Sequence, residues 1–364
     1  MDAIARSVPK YELLAGKVAR QIQARSLLPG QPMPSVRSLM SEYHLSMGTV
    51  MKGLELLKAQ GMVDRLPQRG YFVANTSSSK PRTRQIAFIT QALSGDTSRY
   101  LAGFSQALDH QQYSLATYSS AHDQTLYQTI IEQVIRQQPA GIVLFAQLPE
   151  TVCPMDPTSL AQCGIPTVSI GPQVRGLTCD RVSQNGSDSG KKLARHLLQR
   201  GCTDFAMLMY SCTAFYSRPM LDALRFELRA AGHDLPPERV FQVDSPHGFA
   251  EPIDPCIDAQ RELAWRLAEG MRFKTLICCH DYPAVGAIRA LAEAGLNVPD
   301  DVVLASGESC SVGGAGIARL TTMNCHRDEQ ARIAAELLLR RIDGYDGTPE
   351  VHYVAADLII GDTA

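Results

Sequence analysis

No apolar run in the 364-residue chain approaches the roughly 18 residues that a membrane-spanning helix needs, and the N-terminal Met1-Asp2-Ala3-Ile4-Ala5-Arg6 lacks the apolar core of a secretion signal. A cytoplasmic protein is expected. Cysteine is missing from the first 152 residues, and the ten that follow, from Cys153 to Cys325, form no Cys-x-x-Cys pair and no Cys/His spacing of the kind structural zinc requires. Cys278-Cys279-His280 ends the strand-like run from Lys274 to Cys279, where neighbouring side chains leave opposite faces, so it is not read as a metal site. Gly-x-Ser-x-Gly, phosphate-loop and His-Glu-x-x-His motifs are absent, and Ser311-Val312-Gly313-Gly314-Ala315-Gly316 is not followed by a helix, so it does not fit a dinucleotide fingerprint. These absences argue against an enzyme and against a bound cofactor or metal.

With 45% hydrophobic and 20% charged residues, the chain can build sizeable cores in two or three domains. Its net charge of −2 hides an asymmetry: residues 1 to 82 carry 12 Lys/Arg against 5 Asp/Glu (+7), and the rest carry 23 against 32 (−9). A basic module joined to an acidic body suggests that a polyanion is bound at one end only.

In the basic module, Tyr11, Leu14, Val18 and Ile22 mark an amphipathic helix, which Leu28-Pro29-Gly30 breaks. Pro34-Ser35 opens a second helix with Val36, Leu39 and Met40 inward and Arg37 outward. A third helix is expected from Ser46 to Gln60, with Ser46 as its cap, Val50, Leu54 and Leu57 inward and Gly61 at its end. That leaves Met47, Gly48, Thr49, Met51 and Lys52 near an exposed N-terminal end, the end that reaches base edges in helix-turn-helix docking. Met62 to Leu66, including Arg65, and Tyr71 to Ala74 then read as a hairpin around Pro67-Gln68-Arg69-Gly70. The whole is a winged helix over residues 1–75, followed by a polar, serine-containing linker, 76–84.

From residue 85 to 364 strands and helices alternate. Strands are expected at Ile86 to Thr90, Tyr113 to Tyr118, Gly141 to Phe145, Ile165 to Ile170, Asp204 to Met209, Val240 to Val243, Thr275 to Cys279 and Val302 to Ser306. Two such runs imply an α/β body of two parallel-sheet subdomains, one about 85–180 and 308–344, the other about 181–307 and 345–364. Ligands of open parallel sheets bind beyond the carboxyl ends of the strands. Asp281, after a strand and before a helix, is placed to accept two sugar hydroxyls or to cap the helix. Gln91, the Ser94-Gly95-Asp96 loop, Phe145, Gln147 and Tyr216 are further strand-end candidates.

The segment from Pro9 to Ala74 resembles the DNA-binding domain of GntR-type regulators. The blocks that carry the resemblance are Met33-Pro34-Ser35-Val36-Arg37-Ser38-Leu39, Leu45-Ser46-Met47-Gly48-Thr49-Val50, Leu54-Glu55-Leu56-Leu57-Lys58-Ala59-Gln60-Gly61 and Gln68-Arg69-Gly70-Tyr71-Phe72-Val73. It implies DNA contacts from Ser35, Arg37, Ser46, Met47, Gly48, Thr49 and Lys52, and from Arg65, Gln68, Arg69 and Gly70 in the wing, with Arg37 on phosphate and Gln68-Arg69-Gly70 in the minor groove. Val36 replaces a usual acid, and Met47 and Met51 stand where arginines are usual, which alters the expected operator rather than DNA binding itself.

Residues 84 to 362 resemble the effector domain of LacI/GalR-type repressors, itself similar to periplasmic sugar-binding proteins. This likeness rests on Gly190-Lys191-Lys192-Leu193-Ala194-Arg195-His196-Leu197-Leu198 and Asp281-Tyr282-Pro283-Ala284-Val285-Gly286-Ala287-Ile288, followed by Leu320-Thr321-Thr322-Met323. The resemblance implies effector contacts at Asp281 and Arg218, although Leu221 replaces a usual glycine. Ser306-Gly307-Glu308-Ser309 replaces Gly-Phe-Asp-Asp and makes Glu308 a further candidate. The combination is similar to the arabinose-repressor subgroup, so the expected function is a homodimeric, operator-binding transcription factor, a repressor, controlled by a small sugar-like ligand. Two alternatives remain: a regulator whose cleft has lost its ligand, and a winged helix fused to an enzyme of the aminotransferase type, for which Lys274 is the only lysine after Lys192.

Overall fold

The computed structural model describes residues 9–23, 31–59, 62–66, 70–73, 83–91, 93, 95–110, 112–121, 123–145, 156–210, 214–243, 255–310 and 319–364. The Leu28-Pro29-Gly30 break, Gly61, Gln68, Arg69, most of the linker, Gln147 and the Ser311 to Gly316 loop lie outside the described residues. The chain divides into two compact units, Met1–Pro81 and Arg82–Ala364.

The first unit contains helices α1 (Lys10–Gln23), α2 (Val36–Tyr43) and α3 (Met47–Ala59), then strands β1 (Val63–Leu66) and β2 (Gly70–Val73). Leu14, Val18, Leu39, Val50, Leu54, Leu57, Val63 and Val73 form its core. Burying each such side chain contributes about 1.5–3 kcal/mol. The Ser35 hydroxyl accepts from the Ser38 N–H and caps α2. His44, with φ 51°, ends α2 by donating its N–H to the Met40 carbonyl, which turns the chain sharply into α3. The antiparallel hairpin pairs Val63 with Val73 and starts its return at Gly70, whose φ of 90° suits glycine. Tyr71 in turn donates its hydroxyl to Glu55 at 2.8 Å and ties the wing to α3.

The second unit holds two parallel sheets. Its elements run β3 (Gln85–Thr90), α4 (Gly95–Ala107), β4 (Ser114–Ser119), α5 (Gln124–Gln137), β5 (Gly141–Phe145), α6 (Thr158–Gln162), β6 (Thr167–Ile170) and β7 (Asp180–Gln184). They continue with α7 (Gly186–Gln199), β8 (Phe205–Tyr210), α8 (Ala214–Ala230), β9 (Val240–Val243), α9 (Pro255–Ala268), β10 (Thr275–Cys278), α10 (Asp281–Glu293) and β11 (Val303–Ser306). Last come β12 (Thr322–Asn324), α11 (Arg327–Ile342), β13 (Val351–Val354) and β14 (Asp357–Ile359). One sheet has the order β13-β7-β6-β5-β3-β4, the other β11-β10-β8-β9, and β12 pairs with β14 in a small antiparallel ribbon.

The subdomain boundaries differ from those expected. The sequence places residues 181–184 and 351–354 in the second subdomain, but β13 pairs Val351 with Arg181 and Val354 with Gln184 along the edge of the first sheet. Only the end of the chain returns, where the Thr363 carbonyl accepts from the Leu304 N–H. The chain thus passes between the sheets three times: after β7, between β11 and α11, and after β13. Residues Gly95 and Asp96 also belong to the first turn of α4 rather than a loop, where the acid complements the helix dipole.

Two glycines set how closely the helices of the second sheet pack. A Cβ on Gly190 of α7 would lie 2.4 Å from the Met220 carbonyl oxygen of α8, and one on Gly286 of α10 would lie 2.0 Å from that of Cys256 in α9. Among the described residues no helix is long and apolar enough to cross a membrane.

Candidate DNA-reading helix and effector cleft

In the first unit, α2, the His44 turn and α3 place Ser35, Arg37, Ser46, Met47, Gly48 and Lys52 on the exposed surface. Ser46 accepts from the Thr49 N–H at 3.4 Å, and its hydroxyl lies 2.9 Å from the Thr49 hydroxyl, which holds the half-buried Thr49 at the start of α3. Met47 is 61% exposed. Met51 departs from expectation: it is half-buried and packs on the core, because it follows Val50 around the helix toward the apolar stripe. In the wing, Arg65 is exposed with its guanidinium 5.8 Å from the Tyr71 ring centre, and Gly70 is exposed at the hairpin's return. Arg37, Lys52 and Arg65 are thus solvent-facing cations on α2, α3 and the wing, and exposed cations suit a phosphate backbone.

In the second unit, the carboxyl ends of both sheets border a small open recess, lined by Gln184 and Gly186 from the first crossing, Ser189 of α7, Ser217 and Met220 of α8, and Cys279, Gly307 and Glu308 beyond β10 and β11. Gly307 fits because a Cβ there would sit 2.3 Å from the Met220 sulfur. Glu308, expected as a site residue, faces this recess, and its Oε2 accepts from the Gln184 amide at 3.3 Å. That contact joins the strand end of one sheet to the strand end of the other.

Behind Glu308 stands Arg327, which sequence reasoning missed. It is 3% exposed, ion-paired with Glu308, 3.8 Å from Asp96 and bonded to the Ser309 carbonyl. Burial alone would weaken its charge, but Glu308 and the neighbouring Tyr100, Cys310 and Asp96 hold its pKa above the usual arginine range. One sequence signal was available: a cation in the first turn of α11 opposes the helix dipole and needs carboxylates nearby. Burial raises the Glu308 pKa against the pull of Arg327.

Asp281 is buried, and both of its oxygens are engaged. Thr322 donates its hydroxyl to Oδ1 at 2.7 Å and the Cys310 N–H donates to Oδ2 at 3.0 Å, while the Asp281 N–H binds the Glu308 carbonyl at 3.0 Å. Burial raises its pKa, opposed by these bonds and by Ser306. Its cap role is not realised, since α10 starts without a side-chain cap bond. The adjacent His280 is pushed down to about 4 by burial and is neutral at physiological pH.

The remaining candidates do not converge on the recess. Phe145 lies in the core, its ring 4.6 Å from that of Tyr100 and 6.0 Å from that of Phe88. Gln91 is buried, and its carbonyl accepts from Ser120. Arg218 is 68% exposed and pairs with Asp222 one turn on. The side chains of Tyr216 and Gln147 lie outside the described set.

An uncovered reading helix on a basic winged module, followed by a two-sheet body with a recess at the strand ends, defines a DNA-binding transcriptional regulator. Residues 10–73 match the family model of bacterial regulatory proteins, gntR family, and residues 194–364 match that of a periplasmic binding protein-like domain. The chain thus joins a gntR-family DNA-binding domain to a periplasmic binding protein-like domain. It is 24% identical over 354 residues to the arabinose metabolism transcriptional repressor of Geobacillus stearothermophilus, a match spanning 93% of this chain and 92% of that one. Its fold is similar to transcription regulator CcpA of Lactococcus lactis, with TM-score 0.66, 20% identity and coverage of 78% of this chain and 100% of that one. It is also similar to a periplasmic binding protein/LacI transcriptional regulator from Alkaliphilus metalliredigens complexed with D-xylulofuranose, with TM-score 0.62, 17% identity and coverage of 78% and 99%.

Proposed function

We propose that this chain is a cytoplasmic, homodimeric, non-enzymatic repressor whose operator affinity is set by a pentose-like sugar held in the recess. The observation that carries the reading is the recess itself: Gln184 from one sheet and Glu308 and Ser217 from the other offer hydrogen-bonding groups to one small polar ligand. The relatives support a pentose, one being named for arabinose metabolism and one holding D-xylulofuranose. A ligand that bonds both walls favours the closed arrangement, and the three chain crossings carry that change toward the rest of the dimer. Half-sites recur about every 34 Å, so altered spacing between two reading heads costs DNA affinity.

In this reading Arg37 and Lys52 hold phosphates, Thr49 and Met47 meet base edges, and Arg65 and Arg69 serve the wing. Asp281 is a positioning residue that fixes the turn from Gly307 to Cys310, rather than a ligand contact, because its oxygens are engaged within the protein.

Thermal denaturation of the full chain with arabinose, ribose, xylulose and common hexoses, followed by operator binding with the sugar that raises the melting temperature, tests the proposal. A sugar that stabilises the protein and shifts operator affinity supports it. No stabilisation by any sugar, or operator affinity that ignores salt, sinks it.

A further inference from the structure

Resting on the sugar-sensor reading, we infer that the recess selects an uncharged, polyhydroxylated ligand and rejects its phosphorylated or carboxylated form, because the cation behind it is already neutralised. Arg327 spends its guanidinium on Glu308 and the Ser309 carbonyl, with Asp96 at 3.8 Å. Two carboxylates, Glu308 and Asp96, therefore stand against one guanidinium, and Asp281 lies close enough to feel its charge. Among the described residues no lysine or arginine lines the recess, and on the two helices that do line it Lys192 binds Asp188 at 2.8 Å and the Ala356 carbonyl at 2.6 Å, and Arg218 binds Asp222. His280 stays neutral.

The stretches past residue 84 that lie outside the described residues do not alter this balance. Residues 92, 94, 111, 122, 146–155, 211–213, 244–254 and 311–318 contain no lysine or arginine, and they add Glu150, Asp244, Glu251 and Asp254.

Helix starts near strand ends ordinarily favour anions. Here they carry their own acids: Asp96 in α4, Asp188 in α7, Asp281 in α10, and Asp328 with Glu329 in α11. Helix α8 has none in its first turn, and the group it presents to the recess is the neutral Ser217. A phosphate group arriving at Gln184 and Glu308 would meet a like charge and, among the described lining residues, no lysine or arginine, whereas sugar hydroxyls can donate to Glu308 and accept from the Gln184 amide.

Calorimetric titration of the full chain with matched pairs tests the inference: ribose and ribose 5-phosphate, arabinose and arabinose 5-phosphate, xylulose and xylulose 5-phosphate, glucose and glucose 6-phosphate. The expected result is that the neutral member of the binding pair wins by about a hundredfold, the effect of placing a like charge in the site. A phosphorylated sugar that binds as well as or better than its neutral partner overturns the inference and leaves the sugar-sensor reading standing. Binding by no member of any pair removes both.

Glu308→Gln and Asp96→Asn each remove one negative charge from beside the same Arg327 nitrogen, and should improve the phosphorylated member relative to the neutral one by about tenfold or more. Should Glu308→Gln fail to fold, Asp96→Asn reads the same quantity. A ratio unchanged in every variant that melts like the parent protein overturns the inference.

Discussion

The buried ion pair between Arg327 and Glu308 allows a quantitative test of what holds the two sheets in register. Arg327→Met keeps the stem's volume but leaves Glu308, among the described residues, with the Gln184 amide alone, and leaves Asp96 and the Ser309 carbonyl without their arginine contact. Removing one partner of a buried pair costs about 3–5 kcal/mol. Because the Glu308 side chain is 24% exposed and can rehydrate, the lower end, about 3 kcal/mol, applies here. The second unit, of roughly 280 residues, has an unfolding entropy near 0.6 kcal/mol per kelvin at about 2.1 cal/mol/K per residue, so the melting temperature should fall by about 5 °C. Glu308→Gln keeps an acceptor near Arg327 and should cost about 1–2 kcal/mol. If the two groups act through each other, the double variant will be about 1–2 kcal/mol more stable than the sum of the single losses implies. Circular-dichroism melts of the four proteins at one pH and salt concentration measure this. Additive losses, or an Arg327→Met protein melting within a degree of the parent, would refute the view that the pair bridges the sheets.

Other consequences are simpler to state. Lys52→Ala should weaken operator binding nearly equally for all DNA sequences and flatten the slope of log K against log salt by about 0.9, as read by fluorescence anisotropy over a salt series. Gly48→Ala, where an added Cβ meets nothing within 4 Å, should raise the stability of the winged helix by up to about 1 kcal/mol while weakening operator affinity if this face reads DNA. Gly286→Ala should cost about 2–3 kcal/mol, since α9 and α10 must separate to admit a Cβ 2.0 Å from a carbonyl oxygen, with about 4 °C lost in a thermal melt. Asp180, 1% exposed, is pulled below the usual aspartate pKa: burial pushes it up, but two bonds from Arg341 and the Glu350 N–H outweigh that. A depressed carboxylate stabilises the fold above its unfolded pKa of about 3.9 and loses that contribution as pH falls through the lower folded value. Asp180→Asn should therefore lower stability at pH 7 and make the acid limb of a pH–stability curve shallower below about pH 4, an effect absent if Asp180 contributes nothing.

What could be read from the sequence follows from the range over which each signal acts. The winged helix was legible almost whole because its signals are local: Ser35 caps α2, Val50, Leu54 and Leu57 recur on one face of α3, and Gly70 opens the hairpin's return, each within a few residues of its partner. Met51 was misjudged by one position around a helix, which is the width of the apolar stripe itself. In the larger unit the apolar strands were legible, but β7, with the sequence Asp180-Arg181-Val182-Ser183-Gln184, was not, because its polar residues are matched by groups far along the chain. Asp180 meets Arg341, 161 residues later, and Arg181 meets Tyr353, 172 later. The strand-end rule singled out Asp281 and the family resemblance Glu308, and both stand beyond strand ends, yet neither signal can say which way a side chain turns. That is why Phe145 ended in the core and Arg218, with Asp222 one helical turn away, ended on the surface. Gln184 and Arg327 escaped notice because neither has a local partner: each acquires meaning only when Glu308, 124 and 19 residues away, is brought beside it by strands of different sheets. The residues that couple the two halves are necessarily those whose partners are distant in sequence. The junction between the two sheets is thus the part that sequence periodicity describes least.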